Sequence, residues 1–150
     1  MNIPKHIKSL KQGFYLEDGT PCKYADSKQI DKNNYELQHD LYYVALNGEI
    51  FHIKKGFIHD GASKWILKRF GRYTNASILH DALYGSNKVS RSKADNLFLE
   101  AMEFSKVPYM RRYTYYWTVR GLGWTAYKKS QKEIDIDSKF IKIYTKDKER

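Results

Sequence analysis

The chain has 150 residues, 27 Lys or Arg against 17 Asp or Glu, a net charge of +10 at pH 7, and one cysteine. That length suits one domain with its own core, and the lone Cys22 excludes an internal disulfide framework and a cysteine-based zinc site. No apolar run reaches bilayer-spanning length and the basic N-terminus has no secretory signal, so the expectation is a soluble, unprocessed chain. Its positive charge favours anionic partners such as phospholipid surfaces, nucleic acid or acidic polymers.

In chain order, residues 1–12 are basic and short of apolar periodicity, and predict a flexible or loosely docked arm. Gly13 to Leu16, ended by Glu17-Asp18-Gly19, predicts a short strand and turn, and Pro21 to Asn34 a polar loop. Leu41 to Leu46 and Ile50 to Ile53 flank Asn47-Gly48, a pair that supplies the positive φ angles of a type I′ turn, so a hairpin is predicted. Phe51 and Ile53 alternate with His52 and Lys54, which puts His52 on the wet face.

The period then changes. His59 to Ser63 reads as a loop, and Ser63 is placed to cap a short helix from Lys64 to Phe70. Thr74 or Asn75 can cap the next helix, Ala76 to Tyr84, which Gly85 ends. Ser90 or Ser92 opens a further helix to about Phe104, with Leu97, Phe98, Ala101 and Met102 facing inward. The connection is short, so these two helices are antiparallel neighbours. Pro108 suits the first turn of a long helix, in which Gly121 and Gly123 imply close packing or a break. Beyond residue 130 the tail is highly charged, and Phe140 to Tyr144 is either a late strand or a docked segment. The expected organisation is an arm (1–12), one α+β domain (13–130) and a charged tail (131–150).

The stretch His80-Asp81-Ala82-Leu83-Tyr84 carries the strongest chemical signal. Residues four apart share a helix face, so His80 and Tyr84 point the same way while Asp81 turns about 100° aside. An antiparallel partner helix brings Asp95 towards that face. A histidine oriented by one carboxylate, beside a second that is free to hold a cation, is a catalytic arrangement. The same residues also serve a buried polar network that locks the helices together. Asp60 reads as a loop-bridging carboxylate or a metal ligand, and Ser63 as a cap. Arg111-Arg112 and Lys128-Lys129 read as a solvated face or an anionic-surface contact, and Arg120 as a partner for a buried carboxylate or an aromatic ring.

Taken in order, the hairpin, Gly56-Phe57-x-x-Asp60-x-x-Ser63, His80-Asp81-x-x-Tyr84, Ser90-Arg91-x-x-Ala94-Asp95-x-x-Phe98 and Val119-Arg120-x-x-Gly123-Trp124 resemble a phage and prophage family filed as domain of unknown function 1353. The His-Asp-x-x-Tyr and Asp-x-x-Phe helices also resemble the active-site helices of phospholipase A2. The expected fold is α+β, an N-terminal antiparallel hairpin or small sheet followed by a three-helix core that looks like that of phospholipase A2. The resemblance implies His80 as the base that activates water, Asp95 as the group that orients it, and Tyr84 as a hydrogen-bond donor to Asp95. Asp81 would bind Ca²⁺ with Asp60 as a substitute ligand, and the loop Gly56, Gly61 and Ser63 would support the ion.

The leading expectation is therefore a phage-encoded, calcium-dependent lipid esterase, in the virion or the host cytoplasm. The alternatives are a non-catalytic virion protein of tail or capsid, and a basic factor that binds nucleic acid or a host protein.

Overall fold

The computed structural model of the protein describes residues 3–59, 72–131 and 138–145, except the side chains of 125, 126 and 128–131. Helix α1 (Lys5–Lys8) is followed by strands β1 (Gly13–Tyr15), β2 (Ser27–Gln29), β3 (Tyr35–Leu37), β4 (Leu41–Val44), β5 (Ile50–Ile53) and β6 (Ile58–His59). Helices α2 (Thr74–Ser86), α3 (Arg91–Phe104) and α4 (Tyr109–Gln131) come next, and a 3-10 turn at Ser138–Phe140 leads into strand β7 (Ile141–Tyr144). The class is α+β. The strands pair antiparallel in two sheets, β1-β4-β5-β7 and β2-β3-β6.

The hairpin forms as expected, by a different turn. Gly48 N–H donates to Ala45 O, and Gly48 at φ +86° is the loop residue with a positive φ, so Asn47 does not take the type I′ conformation. Every residue of β4 is buried. Leu41 and Tyr43 face the helices with Phe51 and Ile53, while Tyr42, Val44 and Ile50 pack against Ile3 and Ile7. Residues 3–12 are thus docked on the outer face of the sheet, because the apolar side chains there need a cover that the polar loops do not provide. His52 belongs to this covered face as well: its Nε2 lies 2.8 Å from Asp40 Oδ2 and its ring stacks on Tyr42 at 4.3 Å.

The expectation of an N-terminal sheet followed by a three-helix, phospholipase A2-like core is corrected. Among the described residues four helices are interleaved with seven strands. Strand β7 returns after α4 to complete the first sheet, with Ile141 opposite Ile53 and Ile143 opposite Phe51. Period-two alternation marks Ile141 and Ile143 as strand residues, but only the open edge of β5 tells them where to pair. Part of the stretch expected as a loop also forms a strand, since β2 pairs with β3 across Ser27 and Leu37. His59, expected in a loop, pairs with Tyr35 and is buried, with Nε2 2.8 Å from Ser27 Oγ.

Asn75 does not cap α2. Its side chain accepts from Ala25 N–H and donates to Cys22 O, tying the segment before β2 to the helix. Helix α2 runs past Gly85 to Ser86 and ends on Asn87 in the left-handed conformation, φ 53°. Ser90 caps α3, accepting from Lys93 N–H at 3.1 Å. Helix α4 passes Gly121 and Gly123 without a break. The expected helix from Lys64 to Phe70 lies outside the described residues.

Burial on both sides of the sheet has a consequence for its phenols. Tyr42 is pushed up to about 12, first by burial and then by the charge of Asp40. Tyr43 is raised further by burial and by its hydrogen bond to Glu100. Folded values above the unfolded value of about 10 mean that this stability is fully present below pH ~10 and is lost as pH rises through the folded values. The urea midpoint should therefore fall between about pH 9 and pH 11.5, with a group of tyrosines ionising only as the helical signal is lost. Ionisation of all 13 tyrosines together in a chain that stays folded would contradict this assignment.

Candidate functional site

Helices α2, α3 and α4 pack against one another, and a single carboxylate stands where they meet. Asp95 of α3 is fully buried, at 0% exposure. Its Oδ1 is 2.7 Å from His80 Nε2 and also accepts from the Tyr84 hydroxyl, both on α2. Its Oδ2 accepts from Arg120 Nη1 of α4 at 2.8 Å, and Arg91 Nη1 approaches to 3.6 Å. The antiparallel pairing of α2 with α3 brings His80 and Tyr84 to Asp95, and α4 adds Arg120 as a third helix on the same acid.

Burial by itself would raise the Asp95 pKa. The hydrogen bonds from His80, Tyr84 and Arg120 outweigh it and hold the carboxyl below the ordinary range. Tyr84 moves the other way, raised by burial and by its bond to the Asp95 carboxylate. An ionised carboxylate only accepts hydrogen bonds, so the nitrogen facing it carries the proton. In the neutral ring of His80 this leaves the lone pair on Nδ1, and no described residue hydrogen-bonds that atom. The ring is held between Tyr84 at 4.0 Å and Phe98 at 4.7 Å.

The sequence gives Arg91 no role beyond its place in the Ser90-Arg91 motif, although its i,i+4 spacing to Asp95 is an available signal. It donates to the backbone carbonyls of Val119 and Arg120, lies 5.9 Å from the Trp124 ring centre, and so clamps α3 onto α4. Arg120 takes the first of the two roles expected for it and pairs with the buried carboxylate.

Gly123 explains how α4 comes so close. A Cβ there would stand 2.9 Å from the Tyr84 hydroxyl and 3.5 Å from Arg91 Nη1. Gly121, two residues away, has no described atom outside its own stretch of helix within 4 Å of its Cβ position. The two glycines should respond in opposite ways to alanine. Gly121→Ala should stabilise by about 1 kcal/mol through helix propensity. Gly123→Ala should destabilise by roughly 1–2 kcal/mol, because Tyr84 cannot yield without leaving Asp95. Chemical denaturation of both variants checks this, and a gain at Gly123 as large as at Gly121 would show that Tyr84 is not held in place.

The remaining expected site residues are scattered. Asp81 is half-buried on α2 next to His80. Gly56 is at φ +93°, with a Phe140 ring atom 3.3 Å from its Cβ position and its N–H on Leu37 O, so it shapes the turn between β5 and β6. Asp60, Gly61 and Ser63 lie outside the described residues, as do the side chains of Lys128 and Lys129. Arg111 is exposed, whereas Arg112 is half-buried with its guanidinium 5.3 Å from Tyr109 and 5.7 Å from Tyr113. Among the described residues no three His, Cys, Asp or Glu side chains gather to hold a metal ion. No helix among them is long and apolar enough to cross a membrane.

A family model described as "Protein of unknown function (DUF1353)" matches residues 35–119, more than half of the chain. That span includes the whole of α2 and α3 and reaches α4 as far as Val119. No curated protein and no solved structure matches.

Proposed function

We propose that this chain, which belongs to the DUF1353 family, is a hydrolase acting on lipid esters, in which His80 activates water and Asp95 holds the imidazole in place. The observation that carries the reading is the His80 Nε2 to Asp95 Oδ1 bond of 2.7 Å. It directs the protonated nitrogen inward and leaves Nδ1 to take a proton from water. Tyr84 and Arg120 keep the carboxylate ionised, and the charge of Asp95 in turn stabilises the imidazolium formed when His80 accepts that proton.

Asp81 is the described carboxylate beside this site, and Asp60 would have to supply the second. One carboxylate does not make a calcium shell, and calcium dependence is read directly by adding a chelator. The setting proposed is a virion or an infected cell, after the phage family that the ordered motifs resemble.

The test is release of fatty acid from phospholipid vesicles by the intact protein, with Ca²⁺ and with chelator, for the wild type and for His80→Gln. Release that depends on His80 supports the reading. No release across anionic and zwitterionic lipids with or without Ca²⁺ would sink it.

The saturation of Asp95 favours a second reading. Four side chains converge on one buried carboxylate, which is also what a non-catalytic virion component would keep to lock its helices. That reading predicts stoichiometric amounts in purified particles together with the absence of hydrolysis.

A further inference from the structure

One exposed face of α4 is apolar. Met110, Trp117 and Trp124 are 77%, 66% and 53% exposed. They are spaced seven residues apart, so they project in nearly one direction along a stripe of about 21 Å. Thr114 and Gly121 fall between them on the same face. The Thr114 hydroxyl donates to Met110 O at 2.7 Å and the Thr118 hydroxyl to Thr114 O at 2.6 Å. Both hydroxyls are therefore satisfied within the helix and compete little for water. Gly121 leaves open space between the two indoles.

The charge carried by α4 has a single sign. From Tyr109 to Gln131 the helix contains five Lys or Arg and no Asp or Glu, within a chain of net charge +10. Arg111 stands exposed at its N-terminal end.

We propose that this face of α4 docks the protein on an anionic phospholipid membrane, with Trp117, Met110 and Trp124 entering the interface. Indole rings prefer the headgroup level, where an apolar body and one N–H donor are both accommodated. A second copy of the chain fits less well, because two faces without an acidic residue repel each other. A nucleic acid fits less well too, because Met110, the most exposed residue of the stripe, offers no ring for a base. Trp124 lies on the guanidinium of Arg91, which reaches towards Asp95, so docking would bring the three-helix site to the lipid. The inference draws its purpose from the lipid reading of that site and its evidence from α4 alone.

The experiment is co-sedimentation of the intact protein with vesicles of ether-linked phosphatidylglycerol and phosphatidylcholine, which contain no ester to cleave. Binding is expected on the anionic vesicles, and it should weaken about tenfold or more when Trp117 and Met110 are both changed to Ala. Leu46→Ala, which alters a residue 71% exposed in the β4–β5 loop, should bind as the wild type does. All three residues changed are on the surface, so the variants should keep the wild-type circular dichroism. Absence of binding, or equal binding by the double variant, overturns the proposal. A Trp117-dependent dimer without vesicle binding overturns it in favour of a second copy. A Trp117-dependent complex with single-stranded oligonucleotide that excludes vesicles overturns it in favour of nucleic acid. None of these outcomes bears on hydrolysis at His80, which has its own assay.

Discussion

Asp95→Ala is expected to destabilise the protein by about 3 kcal/mol or more, within the 3–5 kcal/mol range for removing one partner from a buried charge network. The cost has a definite origin. The carboxylate is fully buried and is the acceptor for His80, Tyr84 and Arg120, with Arg91 close by. Its loss leaves two guanidiniums beside each other without a counter-charge, and the Tyr84 hydroxyl and His80 without their acceptor. Arg91 and Arg120 keep 19% and 29% of their side-chain surface in contact with water, and that relief sets the value near the lower end of the range. For a chain of this size the midpoint should fall by roughly 10 °C. Asp95→Asn keeps the shape and loses the charge, and should fall between the two.

The pH dependence follows from the same carboxylate. Its folded pKa is depressed, so its contribution is present above the unfolded value near 3.9 and is lost as pH falls through the folded one. Asp95→Asn should therefore cost less at pH 3 than at pH 7. A thermal scan at both values tests this, and an equal cost at each would show that folding does not depress the Asp95 pKa.

Replacing His80 by Gln should lower ester hydrolysis by about 10³-fold, within the 10²–10⁴ range for a positioned general base, while leaving most of the stability in place. Glutamine keeps an N–H donor for Asp95 Oδ1 but offers no basic nitrogen to water. Alanine at the same position also removes a ring packed against Phe98 and Tyr84, so it should cost roughly 2 kcal/mol of stability besides. The two variants together separate the roles of His80. A glutamine variant that hydrolyses lipid at the wild-type rate would exclude His80 as the base, whereas one that is stable and inactive supports the assignment. If neither the wild type nor any variant hydrolyses lipid, the stability costs remain as predicted, because they follow from packing and hydrogen bonding alone.

How legible the chain is depends on the range of the interactions concerned. The hairpin, a cap at Ser90 or Ser92 and the helices around His80 and Asp95 all follow from neighbours a few residues apart. So does the pairing of His80 and Tyr84 with Asp95, since the link from Gly85 to Ser90 is too short for anything but an antiparallel return. The turn at Asn47-Gly48 departs from the expected type I′ because Asn-Gly also fits a loop in which only glycine turns left-handed. Asn75 suited a cap by type, yet it was drawn to the backbone of Cys22 and Ala25, about 50 residues away in sequence.

By itself, then, the sequence determined the α+β class, the three long helices and the meeting of one histidine with one acid, all through local periodicity and short connections. Only the tertiary structure decided that Asp95 also takes Arg120 and Arg91, that residues 3–12 cover the sheet, and that β7 closes it against β5. Those choices depend on which buried acceptor, apolar face or open strand edge remains once the rest of the chain is in place. No window of neighbouring residues contains that information, and the energy of burying a polar group with its partner, rather than without one, makes the choice.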